Sequence, residues 1–272
     1  MTEFSKNGTN KSNKIVPLQR NTLSSHDLAF NLIAPPADEK AQAKLSLFGE
    51  IKLNEPIRLL IKIEDFEGNV IEQFDPVRER LMHLVLVSND LYVFDTLYPT
   101  YRTNGCFAVE ATFSKPGSYT LFSCYKPSGQ REMISALKLT VSGSTLSPPE
   151  ISLNHTQVVG NTEIRLRFPQ SIVEFGERSK IMFDLWDAAN HQPIQDLKPY
   201  LGGWANLFIV QRSLDLTGLD YIQAYAVKDA TSSRLKFIAR FPRSGQYRLW
   251  LRFNRSDEII LANFWLNLSN DF

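Results

Sequence analysis

The sequence predicts an all-β protein, two tandem immunoglobulin-like or cupredoxin-like sandwiches behind a disordered N-terminal tail. Three observations carry this. Short apolar alternations separated by turn-forming residues recur from Leu28 onward. No long stretch has a helical apolar period; only short pieces near residues 24–30 and 76–82 come close. The series of strand and turn signals occurs twice, in the same order.

Residues 1–25 are polar, rich in Asn, Ser and Lys, and lack either period, so they are expected to be a disordered tail. The first repeat, 26–143, carries strand signals in LAFNLIA (28–34), IRLLIKIED (57–65), LMHLVLV (81–87), CFAVEATF (106–113), SYTLFSCY (118–125) and ALKLTV (136–141). Between them lie FEGN, SND, RTNG, SKPG and KPSGQ, where Gly, Pro, Asn and Asp supply fixed or positive φ. SGSTLSPPE (Ser142–Glu150) contains the linker, placed at 144–150. The second repeat, 151–272, restarts the series: FDPVRERLMHLVLV (74–87) aligns without a gap to LKPYLGGWANLFIV (197–210), and FSKPGSYTLF (113–122) to FPRSGQYRLW (241–250). Each repeat is close to the size of an immunoglobulin-like domain.

Lys and Arg number 30 against 29 Asp and Glu, so the chain as a whole exerts no pull on nucleic acid or anionic membrane, and any basic function has to be local. The longest apolar runs are too short to span a bilayer. The first twenty residues hold no apolar core of a secretory signal, which reads as a cytoplasmic protein. Cys106 and Cys124 fall in one expected hairpin but on opposite faces by residue parity, so both are expected as free thiols.

Several motifs place the chain beside a known group. Met82-His83-Leu84, Asp90-Leu91, Phe94, Pro99, Gly105, Phe113, Pro116-Gly117, Tyr119 and Leu121-Phe122 in the first repeat, and Pro199-Tyr200-Leu201-Gly202, Leu219-Asp220-Tyr221, Phe241-Pro242 and Tyr247-Arg248-Leu249 in the second, resemble bacterial tandem β-sandwich proteins related to copper-resistance and heavy-metal-binding periplasmic domains. The resemblance covers nearly everything after residue 25 and implies a histidine-rich metal site. Where that pattern carries histidines, this chain has Thr96 and Tyr98 in the first repeat and Asn206, Gln223 and Tyr225 in the second; of the implied ligands only His83 stands. Copper and zinc sites need three or four convergent donors. His83 is therefore read as a hydrogen-bonded side chain of an apolar strand, the alternative being a rebuilt copper or zinc site using His83 with Tyr98 or the thiols of Cys106 and Cys124.

No nucleophile elbow, P-loop, dinucleotide fingerprint or zincin motif occurs, and no enzyme is expected. One feature rises above background. In YRLWLRF, Tyr247, Leu249, Leu251 and Phe253 alternate with Arg248, Trp250 and Arg252. A tight turn at Ser256-Asp257 pairs Leu251 with Ala262 and Arg248 with Trp265, so Arg248, Trp250, Arg252 and Trp265 share a face with Asn263. Tryptophan beside arginine is the composition of a protein-binding hot spot; the same composition also serves contacts between domains. The expectation is a non-enzymatic binding or scaffold protein with no cofactor, engaging a protein partner through this face or using the face to join its own repeats.

Overall fold

A computed structural model describes residues 41–77, 79–145, 147–169, 173, 175–228 and 233–269. The expected tail, the strand at 28–34 and the helical piece at 24–30 lie outside the described residues.

The first repeat forms two sheets. One joins β1 (Gln42–Phe48), β2 (Pro56–Glu64), β6 (Cys106–Thr112) and β5 (Thr100–Tyr101) in the order β1-β2-β6-β5. The other has the order β4-β3-β7-β8, from β3 (Met82–Ser88), β4 (Phe94–Leu97), β7 (Gly117–Tyr125) and β8 (Met133–Val141). Lettered A to G in chain order, with β4 as C′, these are the A-B-E-D and C′-C-F-G sheets of an immunoglobulin-like sandwich. The second repeat rebuilds the plan. Its outer sheet runs β15-β16-β11-β10-β9, from β9 (Thr156–Val159), β10 (Thr162–Arg167), β11 (Arg178–Asp187), β15 (Val227–Lys228) and β16 (Arg234–Arg240). Its inner sheet runs β14-β13-β17-β18, from β13 (Ala205–Gln211), β14 (Tyr221–Tyr225), β17 (Gly245–Arg255) and β18 (Glu258–Leu268), with β12 (Leu197–Lys198) pairing the far end of β17.

Each sandwich has its own core. Leu59, Ile61, Leu84, Phe107 and Leu121 belong to the first, and Ile181, Phe183, Leu207, Leu249 and Phe264 to the second. Both carry the tyrosine corner of this architecture: Tyr119 Oη donates to the Lys115 carbonyl at 2.8 Å and Tyr247 Oη to the Arg243 carbonyl at 2.5 Å. The β17–β18 register is the one the sequence implies, Leu251 opposite Ala262 and Arg248 opposite Trp265. Ser256 and Asp257 take φ of 51° and 71°, the two positive values a type I′ turn demands.

One expectation needs correction. Cys106 and Cys124 do not share a hairpin: β6 lies in the outer sheet and β7 in the inner one, because the connection after Phe113 is an arch between sheets. In the short piece at 76–82 Val77 and Arg80 bridge each other in a tight turn.

The two inner sheets face each other. Every residue of β3 and of β13 is buried, although a strand with one wet face would alternate. Even-numbered β3 residues such as Leu84 and Leu86 enter the first core. Val85 and Val87 instead join Phe122, Phe208, Val210, Tyr221, Trp250 and Trp265 in a third apolar cluster between the sandwiches. The result is four β layers with three apolar seams.

Candidate functional site

The middle seam is built from equivalent positions of the two repeats. Val85 of β3 lies opposite Phe122 of β7, and Phe208 of β13 lies opposite Trp250 of β17. Val87 pairs Phe94, and Val210 pairs Tyr221. The repeat thus makes Phe94 the counterpart of Tyr221 and Phe122 the counterpart of Trp250. Across the seam these four form two matching stacks: Phe94 on Trp250, with centroids 4.7 Å apart and planes 15° from parallel, and Tyr221 on Phe122 at 4.8 Å and 16°. Two unlike halves therefore meet with approximate twofold symmetry.

Here the structure brings together the four residues expected to engage a partner, but sets them against the first sandwich rather than solvent. Trp250 and Trp265 are each 2% exposed. Arg248 is also buried; its guanidinium lies 4.9 Å over the Trp265 ring and 5.5 Å over Tyr92 and donates to Asn263. Burial pulls its pKa down to about 10. Arg252, half-buried, donates to Thr96 Oγ1 across the seam and sits 5.7 Å over the Tyr200 ring. The partner of this face is the chain's own first repeat, since β17 and β18 are inner strands. Parity along β17 placed these residues on one face correctly but could not show what covers it. At the rim, Lys138 of β8 pairs Asp215 at 2.8 Å and donates to the Leu216 carbonyl. The adjacent 3-10 turn Gly218–Asp220 comes so close to β8 that a Cβ on Gly218 would meet the Ile134 carbonyl oxygen at 2.8 Å.

At one end of the seam lies a small cavity of about 10 Å³, room for a single water. Its polar lining is His83, Thr96, Tyr98, Asn206 and Gln223. These are five of the positions where the resemblance implies histidines, and four of them form equivalent pairs: His83 aligns with Asn206, and Thr96, opposite Val85, matches Gln223, opposite Phe208. Spacing alone could not have found this convergence, because the residues come from four strands, and the link after one of them, in two sandwiches.

His83, 7% exposed, holds the Val77 carbonyl at 3.0 Å through Nε2. A carbonyl only accepts, so Nε2 carries the hydrogen and Nδ1 keeps a lone pair. Burial, with repulsion from Arg80, keeps the imidazole below its ordinary pKa against the opposing pull of the Val77 bond, so the neutral form is favoured. The ring meets Tyr98 edge-on at 5.8 Å. Asn206 is 2% exposed, and its Oδ1 has no hydrogen-bond partner. Gln223 Oε1 accepts from Tyr221 Oη at 2.8 Å. Burial, and a hydrogen bond with Tyr98, push the Tyr200 phenol well up, so Tyr200 stays neutral.

For a resident copper or zinc ion the fit is poor. The lining offers one imidazole, two amides and two hydroxyls, without thiolate or carboxylate. Arg80 lies 5.3 Å over Tyr98 and Arg252 bonds Thr96, so the surroundings are positive. Among the described residues no three His, Cys, Asp or Glu side chains are grouped as a metal would require. The Cys124 thiol, fully buried in the seam, is held well above its ordinary pKa by desolvation and is no thiolate donor.

A family model described as a domain of unknown function, DUF8832, matches residues 157–270, the second sandwich. No curated protein matches the chain. Among solved structures the chain is similar to the adhesin InvE of Yersinia pseudotuberculosis at 12% identity over 83% of this chain and 59% of that one, with a TM-score of 0.24. It is likewise similar to a two-domain fibronectin type III segment of chicken tenascin at 11% identity, covering 84% and 99% of the respective chains, TM-score 0.24. A third is latent PorU from Porphyromonas gingivalis, at 15% identity, 86% and 24% coverage and a TM-score of 0.27. These scores are too low to equate the arrangements, so the immunoglobulin-like assignment rests on strand order and the tyrosine corners.

Proposed function

We propose that the chain is a non-enzymatic binding or scaffold protein whose repeats act as one rigid block and engage a protein partner. The observation that carries this is the seam. Trp250, Trp265, Phe94, Phe122 and Tyr221, the aromatic residues best suited to an external hot spot, are committed to fixing one sandwich against the other. Four such layers display two outer sheets in a fixed relation, which suits a protein that positions partners. Among the described residues near the cavity nothing pairs a nucleophile with a base, and the Tyr200 phenol and the Cys124 thiol are held in their neutral forms. This is the reading of a copper-resistance-like scaffold whose ligand positions have been taken over by Asn, Gln, Thr and Tyr.

The test is reconstitution. Proteins captured by the purified chain from its source are identified, purified and mixed with it. A one-to-one complex surviving size-exclusion chromatography at micromolar concentration supports the reading, and failure of every captured protein to form one removes it. A second reading, copper or zinc handling at His83, is favoured by Asn206, which lines the same cavity and whose buried Oδ1 is unpartnered. Titration with Cu(I), Cu(II) and Zn(II) decides it: stoichiometric binding lost in His83→Ala would establish the site.

A further inference from the structure

The outer sheet of the second sandwich is basic in a chain that is otherwise balanced. Residues of β10, β11 and β16 that point away from the core alternate with Ile164, Leu166, Ile181, Phe183, Leu235 and Phe237, which point into it. The outward set includes Arg165 and Arg167 on β10, Arg178 and Lys180 on β11, and Arg234, Lys236 and Arg240 on β16. Against these seven cations, of which Arg178, Arg234 and Lys236 have further partners, the described residues of the face supply two carboxylates, Glu163 and Asp184. Both are already engaged: Arg165 holds Glu163 at 2.5 Å, while Arg167, at 3.2 Å, and Arg234 share Asp184. Lys180 and Arg240 have no carboxylate within 4.0 Å among the described residues.

The corresponding sheet of the first repeat shows that the fold does not impose this. There Lys44 and Lys62 share Glu64 at 2.6 and 2.7 Å, and Arg58 pairs Glu110 at 3.8 Å. Among the described residues the excess belongs to the second repeat, and so it marks a difference in what the two outer faces meet.

The apolar atoms of the face narrow the partner. Half-buried Met182 and Ile238 lie directly opposite Lys236 and Lys180, and Val158, 60% exposed, continues the surface onto edge strand β9. A phosphate backbone or a layer of lipid headgroups has nothing to offer such side chains. Nucleic-acid readers of this flat kind use bare aromatic platforms, whereas the one aromatic ring here, Trp186, lies 5.8 Å beneath the Arg165 guanidinium. Interleaved cations and aliphatic groups are complementary to a protein surface that carries carboxylates among aliphatic residues.

We propose that the outer face of the β15-β16-β11-β10-β9 sheet docks an acidic, partly aliphatic protein segment, with Lys180 and Arg240 as its free cations. This rests on the protein-binding reading above and names the surface and the chemistry of the partner. Extended acidic chain fits the geometry, since alternate carboxylates along a strand recur at about 7 Å, the same spacing as alternate cations on the sheet.

The experiment titrates the full chain into a short fluorescein-labelled peptide of Glu, Asp and Leu, following anisotropy at low and physiological salt. Oligothymidylate and phosphatidylserine vesicles are run alongside. Binding of the peptide is expected, with salt sensitivity and about a tenfold loss in Lys180→Glu/Arg240→Glu, from two favourable exposed pairs converted to repulsive ones. Lys52→Glu, an exposed change on the first sandwich, is expected to leave it unaltered. Both substituted side chains of the double variant are exposed, and near-ultraviolet circular dichroism confirms its fold. Peptide binding that ignores the reversal overturns the choice of face while leaving the protein-binding reading intact. Binding of oligothymidylate or vesicles without the peptide overturns both. No binding of any probe removes the acidic-partner assignment, and the reconstitution test then stands alone.

Discussion

Replacing Trp250 with Ala separates the two meanings of its strand face by magnitude. On a free surface the change would lie within about 0.5 kcal/mol of neutral. In the seam Trp250 is 2% exposed and stacked on Phe94 at 4.7 Å, so truncation opens a cavity in a packed apolar cluster and should cost about 3–5 kcal/mol. The partner can be identified by a double-mutant cycle. Phe94→Ala and Trp250→Ala should couple by about 0.5–1.5 kcal/mol, the range of a close aromatic pair. Phe94→Ala combined with Phe241→Leu, a change in the separate second core, should be additive within about 0.5 kcal/mol. Urea unfolding suits the measurement because all four tryptophans, Trp186, Trp204, Trp250 and Trp265, lie in the second repeat. Fluorescence then reports that repeat and the seam, while circular dichroism reports both sandwiches. Coincident transitions are expected in the wild type, and in Trp250→Ala an earlier fluorescence transition separated from the dichroism. Additivity of Phe94→Ala and Trp250→Ala, or a loss below about 0.5 kcal/mol, would refute the four-layer arrangement.

Two further outcomes follow from the same seam. The folded His83 imidazole titrates below its ordinary 6.5, so the unfolded chain binds the proton first as pH falls. Stability is full above about pH 6.5 and declines toward the lower folded value; His83→Gln should flatten that slope in urea midpoints measured across the window, and an unchanged slope would assign the decline to other groups. Cys124 is wholly buried with its thiol held high, whereas Cys106 is partly exposed. A thiol reagent should therefore modify one cysteine of the native chain rapidly and both only after unfolding; rapid modification of both would mean that the seam opens readily.

Strand positions, the repeat, the Ser256-Asp257 turn and the β17–β18 register were legible in the sequence because each depends on local alternation and turn chemistry. Asp65 and Asp187 illustrate this. Each accepts backbone N–H groups of the turn that follows it, Asp65 from Glu67 and Asn69, Asp187 from Ala189 and Asn190. Such short-range bonds need nothing from the rest of the chain. The edge strands were harder to read: β1 is mostly exposed, with only Ala43, Leu45 and Leu47 forming an apolar face, and β4 and β5 are too brief for a period to show.

What lies on the outward face of an inner strand was decided only by the tertiary structure. Val85, Val87 and Phe208 interrupt the polar half of the alternation, which is a sign of burial on both sides. The pattern does not say whether the second cover comes from the same chain or another molecule, because the hydrophobic effect has no direction and Trp250 buries equally well against either. The gathering of His83, Thr96, Tyr98, Asn206 and Gln223 around one cavity likewise needed the packing of two sandwiches, since no separation along the chain encodes their meeting. The basic outer sheet is an intermediate case. Its alternation could be read strand by strand, but only the cross-strand register places Lys180 opposite Ile238 and Arg167 opposite Met182 and turns scattered charges into one surface.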